Sequence, residues 1–141
     1  MVKNNFTSYT LDVWYSENGE EYYRIIDISG EDTLDNLSEF ILKAFDFDND
    51  HLYAFSLDGD FYGENSYHLN SPENKSTNIP IKKVITQKIP QFRYLFDFGD
   101  EWLFIIDVKK IEYVTKQIKP KIVESVGKLE QYPDFDDEDE Y

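Results

Sequence analysis

The clearest pattern lies between Phe6 and Tyr15, where Tyr9, Leu11, Val13 and Tyr15 alternate with Thr10, Asp12 and Trp14. A period of two places the two sets on opposite faces of a half-buried strand. After Asn18-Gly19, a pair that tolerates positive φ, the run Tyr22 to Ile28 resumes β-branched and aromatic character. The two runs are expected to form an antiparallel hairpin. The period then becomes helical: Leu34, Leu37, Phe40, Ile41, Ala44 and Phe45 fall on one stripe, while Asp35, Asn36, Ser38, Glu39 and Lys43 face away. Asp32 or Thr33 can cap the first turn by accepting from an orphan backbone N–H. Alternation returns from His51 to Leu57, and Asp58-Gly59 reads as a hairpin turn leading back through Asp60-Phe61-Tyr62. Glu64 to Asn78 is polar and reads as a surface loop anchored by Tyr67 and Leu69. Ile79 to Ile89 has a mixed period that fits a short helix and an irregular edge segment equally.

A second hairpin organises the C-terminal half. Its arms are Phe92 to Phe98 and Trp102 to Val114, and Gly99-Asp100 suits a two-residue primed turn between them. The run Leu103-Phe104-Ile105-Ile106 reads as a strand buried on both faces at the centre of the sheet. Beyond Pro120 the pattern weakens, with Ile122, Val123 and Val126 docking before Gly127. Together these elements predict an α+β fold, an antiparallel sheet of hairpins with one main amphipathic helix packed on it. One domain over 1–128 accommodates them all. Residues 129–141 read as an acidic, disordered tail, since Asp134 to Tyr141 cannot bury enough apolar surface to fold alone.

Charge refines this picture by its distribution. The net charge is −15, yet residues 75–128 hold 11 bases against 6 acids, while residues 1–74 hold 16 acids against 3 bases. The basic middle can therefore attract phosphates or bind the acidic tail, although the total repels polyanions. Its lysines alternate too irregularly to line one face, and no helix-turn-helix, zinc-finger or RNA-recognition signature is present, so direct nucleic-acid binding is disfavoured. The absence of cysteine excludes disulfides, thiolate metal sites and cysteine nucleophiles. The first residues lack the apolar region of a secretion signal, and no apolar run nears the ~18 residues of a membrane span. A soluble cytoplasmic protein with no membrane partner is expected.

Few residues stand out as chemistry. Asp97-Phe98-Gly99 matches the magnesium-binding tripeptide of kinases, but the Gly-rich loop, strand lysine and catalytic loop that a kinase needs are missing. Asp46, Asp48 and Asp50 have the spacing of the first three ligands of a calcium-binding EF-hand loop. The sixth position is His51 in place of Gly, and the twelfth is Leu57 in place of Glu, which leaves a weak metal candidate. His51 follows those aspartates and can serve as a general base oriented by a carboxylate, with Asp97 and Asp100 as conditional catalytic partners. His68 sits in the polar loop, and a two-histidine, one-carboxylate site would require both histidines to meet. Nothing nearby reads as a nucleophile or an oxyanion hole.

The run Phe96-Asp97-Phe98-Gly99-Asp100-Glu101-Trp102 follows Asp50-His51-Leu52-Tyr53-Ala54-Phe55 and a helix from Thr33 to Phe45. In that order it resembles the plasmid Ri-type ORF-three-like family. The likeness spans roughly residues 6–133, with a similar Pro120 to Gly127 segment followed by Gln131-Tyr132-Pro133. The chain departs from the family in lacking a C-terminal cysteine and second proline, and Tyr22-Tyr23-Arg24 keeps only the arginine of the usual Pro-x-Trp-Arg opening. The resemblance implies an α+β fold and an association with plasmids and transposable elements. Some members carry resolvase-like labels. A serine resolvase needs an arginine-rich site, and Arg24 and Arg93 are the chain's two arginines, so that activity is not transferred.

The reading that follows is an uncharacterised, non-enzymatic interaction module, an accessory of a mobile element, that takes a protein partner in an acidic-aromatic groove near the second hairpin. Trp102, Phe55 and Tyr53 are its candidate binding residues, and no cofactor is expected. Two alternatives stand beside it: a metal-dependent hydrolase using His51 with Asp97 and Asp100, and an acidic nucleic-acid mimic that occupies a basic partner.

Overall fold

The computed structural model describes residues 5–72 and 75–132. Seven strands, β1 (Phe6–Glu17), β2 (Glu20–Ser29), β3 (Tyr53–Ser56), β4 (Ser66–His68), β5 (Gln91–Phe96), β6 (Trp102–Val114) and β7 (Lys121–Val126), form one sheet. Its order is β4-β3-β5-β6-β1-β2-β7, and each adjacent pair is antiparallel. The helices are α1 (Leu34–Ala44) and the single-turn α2 (Ile81–Val84). The molecule is thus largely β, with less helix than a sheet built around one main helix would imply. The extra strands arise where the sequence pattern was faint: β4 pairs through the polar loop, and β7 pairs with β2 instead of docking by its apolar side chains.

Local sequence explains the elements that do match expectation. Asn18 and Gly19 both take positive φ, 53° and 81°, so Glu17 pairs with Glu20 across a two-residue turn whose twist suits the strands. Thr33 caps α1 by accepting from the Asn36 N–H, and the Asn36 side chain returns to the Thr33 N–H. The segment after the polar loop laces onto that cap. Ile79 O and Thr77 O accept from Leu34 and Asp35, and Ile81 donates to Asp32 O.

The core lies on one face of the sheet. Leu34, Leu37, Ile41 and Leu42 of α1, and Ile81 and Val84 of α2, pack on Leu11, Val13, Ile26, Ile28, Phe55, Phe92, Tyr94 and Phe104. The buried stripe of α1 is rotated from the expected one. Phe40 is half-buried, and Ser38 is fully buried because its hydroxyl meets the Tyr94 hydroxyl at 2.6 Å. A satisfied hydroxyl can take a core position that an unpaired one cannot.

The other face stays open. β6 is indeed the central strand, but its burial alternates: Phe104 and Ile106 are fully buried while Leu103 is 39% exposed. Asp12 of β1 lies on the open face opposite Asp107 of β6. Trp14 Nε1 and Gln91 Nε2 donate to Asp107, whereas Asp12 Oδ1 is buried with no partner among the described residues. Burial, and then the Asp107 charge, lift the Asp12 carboxyl above its usual range, with Lys109 offsetting part of the rise. A raised folded-state pKa means the folded protein holds that proton more tightly than the unfolded chain does. Ionising Asp12 therefore costs stability as pH rises from the unfolded value through the folded one. Asp12→Asn is expected to raise Tm at pH ~7, with the gain shrinking as pH falls below the ordinary Asp value of ~3.9. Thermal unfolding followed by circular dichroism at the two pH values checks both parts.

Candidate functional site

One end of the sheet gathers the β1–β2 turn, the β5–β6 loop, the loop entering β3 and the chain leaving β7. The β5–β6 connection is not a two-residue turn. Phe96 pairs with Trp102, leaving a loop of Asp97 to Glu101. Its positive-φ residues are Asp97 at 64° and Glu101 at 54°, not Gly99 and Asp100. Asp97 tolerates that conformation because its Oδ1 accepts from Gly99 N at 3.1 Å and Asp100 N at 3.3 Å. A side-chain turn thus replaces the glycine turn. Asp58-Gly59 departs in the same way. Gly59 takes φ 92°, but Ser56 and Asp58 side chains cap a longer loop between β3 and β4.

Asp97 is 7% exposed, and its Oδ2 lies 3.3 Å from His51 Nε2. The same nitrogen lies 3.5 Å from Asp50 Oδ1 and 2.8 Å from the Tyr132 hydroxyl, which donates to Asp50 Oδ2 at 2.7 Å. His51 and Asp97 therefore meet, joined by Asp50 and by Tyr132. Asp100 does not join them by an ion pair; its backbone N–H donates to Asp97 Oδ1, and the residue lines a groove. The hydrogen bond to Asp50 pushes the Tyr132 hydroxyl up to about 12, with desolvation and the charges of Asp50, Asp97 and Asp100 adding to it.

The acidic turn before β3 is occupied by the chain itself. Gln131 Oε1 accepts from Asp48 N at 2.6 Å, and its Nε2 donates to Asp48 O at 3.1 Å and Asp50 Oδ1 at 3.2 Å. Asp46 and Asp48 line a shallow depression with Lys128 to Tyr132. Among the described residues, no group of three or more His, Cys, Asp or Glu side chains is disposed to hold a metal ion. His68 is engaged elsewhere, with Nε2 at 2.6 Å from Phe61 O.

Leu129 and Gln131 are 6% and 8% exposed, so the described residues 129–132 pack on the body that the sequence reading ended at 128. Residues 133–141, where the expected disordered tail falls, lie outside the described residues. Arg24 of β2 anchors the approach to this strap. Its Nη1 and Nη2 donate to Val126 O and Gly127 O, and its Nε donates to Ala44 O at the end of α1. The guanidinium also lies 4.3 Å from the Phe45 ring centroid. Arg24, Gln131 and Tyr132 were missed as site residues. The one local hint was the Leu129 and Tyr132 pair inside an otherwise polar run.

Between strap and sheet runs an open groove of about 640 Å³. Tyr15, Tyr22 and Trp102 line it from the sheet, Tyr132 from the strap, and Glu17, Asp100 and Glu130 bring carboxylates to it. Tyr15 packs 5.1 Å from Trp102 and 6.5 Å from Tyr22, centroid to centroid, so these three rings are continuous. Of the three candidate binding residues, Trp102 is among those that line this groove. Phe55 and Tyr53 are not: they are 0% and 8% exposed, because alternate positions of β3 face the core. Among the described residues no helix is long and apolar enough to cross a membrane.

These features define a class: an antiparallel seven-stranded sheet with one covered face, whose end carries an aromatic groove closed on one side by a tethered C-terminal strap. The chain belongs to the plasmid pRiA4b ORF-3-like protein family, whose model matches residues 7–134. The fold is shared with a protein of unknown function from Methanosarcina mazei Go1. That crystal structure is 19% identical and matches with a TM-score of 0.70, over 85% of this chain and 69% of the other. The comparison with curated proteins finds no match.

Proposed function

We propose that the protein is a non-enzymatic interaction module, a cytoplasmic accessory of a plasmid or transposable element, and that a segment of a protein partner lies in the groove of Tyr15, Tyr22 and Trp102. The observation that carries this reading is the groove itself, an open aromatic surface between one end of the sheet and a strap. The neighbouring titratable cluster supports it by being spent on structure. Asp97 Oδ1 caps its loop, both Asp50 oxygens accept from the strap, and His51 Nε2 faces Tyr132 and two carboxylates.

Random linear peptides selected against the protein test the reading. Selected peptides are expected to lose about tenfold or more in affinity for Tyr22→Ser and for Glu130→Arg, with both variants still folded by circular dichroism. Failure to select any peptide, or binding indifferent to both changes, overturns it. A second reading draws on the 3.3 Å contact of His51 with Asp97: a hydrolase in which that pair activates water. Ester or phosphoester turnover abolished by His51→Ala would establish this alternative in place of the module.

A further inference from the structure

We infer that the groove selects an extended segment by a cationic side chain, a lysine or arginine laid on the Tyr15–Tyr22–Trp102 wall beside the carboxylates of Glu17, Asp100 and Glu130. The inference rests on the interaction reading and names the chemistry of its occupant. Aromatic faces carry negative electrostatic potential, so a wall of three contiguous rings attracts a cation that has left water. The carboxylates supply the charge. Among the described residues, Glu17, Asp100 and Glu130 make no ion pair, so none is already neutralised by the chain. Lys128 also lines the groove, but it takes no carboxylate partner there and leaves three acids against one base.

Topology strengthens the local field. β6 runs away from the groove from Trp102 to Val114, and β7 runs toward it from Lys121 to Val126. Lys110, Lys116 and Lys121 therefore lie toward the far end of the sheet, joined there by Lys82, whose backbone bonds to Gly30 just beyond β2. The groove end holds Glu17, Glu20, Asp50, Asp97, Asp100, and Glu101 instead. The chain's own residues 133–141 carry six acids and no base, so like charge disfavours them as the occupant.

Trp14→Phe leaves Trp102 as the only tryptophan and lies on the open face, outside the groove. In that background, Trp102 emission is titrated with three extended peptides of equal length: lysine–serine, glutamate–serine and leucine–serine. The lysine peptide is expected to bind about tenfold or more tighter than the others and to weaken steeply from about 50 to 300 mM salt. The triple variant Glu17→Gln, Asp100→Asn, Glu130→Gln should lose that preference with Tm retained, whereas Lys128→Gln should tighten binding. Equal affinity for the leucine peptide, or a triple variant that binds the lysine peptide unchanged, overturns the inference. If the leucine peptide binds and Tyr22→Ser abolishes that binding, the groove reading stands without its cation. If no peptide binds, both fall.

Discussion

Arg24→Ala is expected to lower stability by about 3 kcal/mol or more, among the largest losses available to a single charged residue in this protein. Arg24 is 7% exposed, with burial lowering its pKa, and among the described residues its charge is met by backbone carbonyls and not by a carboxylate. The carbonyls of Tyr23, Ala44, Val126 and Gly127 accept from it, so three separate parts of the chain converge on one guanidinium. Removing the side chain leaves those acceptors unpaired or open to water and uncovers the face of Phe45. Arg24→Lys should recover little, since one ammonium cannot span donors fixed in a planar fork. Urea denaturation measures the loss. Hydrogen exchange of residues 128–132 separates the local part, because the strap should exchange faster in both variants even where the sheet remains folded. A variant as stable as the parent, with a protected strap, would show that the carbonyl cluster is not what holds this end together.

Phe104→Ala should cost about 3–5 kcal/mol, and at the upper end of that range should unfold the protein at physiological temperature. Phe104 is fully buried near the start of β6. Its ring centroid lies 5.0 Å from Phe45, 5.7 Å from Tyr15, 5.9 Å from Tyr94 and 6.2 Å from Phe47. Loss of the ring removes apolar burial and leaves a cavity that neighbours on β1, on β5 and in the segment after α1 cannot close together. Tyr15 would also lose its support, so the groove should deform before the sheet does. Leu103→Ala, one residue away on the open face, is expected to change stability by about 0.5 kcal/mol or less. Equal losses at the two positions would mean that the open face is covered in solution. Chemical denaturation of both variants, in one buffer, decides the matter.

The sheet and its hairpins were largely legible because their signals are local. Asn18-Gly19 specifies a turn through the conformations that two adjacent residues tolerate, and the Thr33 cap reaches only to Asn36. The alternation in β1 reports which face is dry, wherever the strand finally sits. Locality also explains the misreadings. Gly99-Asp100 and Asp58-Gly59 carry the residue types of a two-residue turn, yet Asp97, Ser56 and Asp58 side chains satisfy the backbone over longer loops. Ser38 looked solvent-facing until Tyr94, 56 residues along the chain, supplied its partner.

By itself, the sequence determined a domain built on antiparallel hairpins with β6 in its middle, and an acidic chain whose bases fall mainly in its second half. It also placed His51, Asp97 and Trp102 among the residues worth watching. The tertiary structure decided what those residues are near. Gln131 meets Asp48 across 83 residues, Tyr132 meets Asp50 across 82, and Arg24 meets Gly127 across 103. Such contacts leave no period or propensity in either segment, because each depends on where the whole sheet delivers its ends. The strap and groove are set by that delivery. The hairpins are set by the dihedral preferences and apolar alternation of neighbouring residues, which are written in the order of the chain.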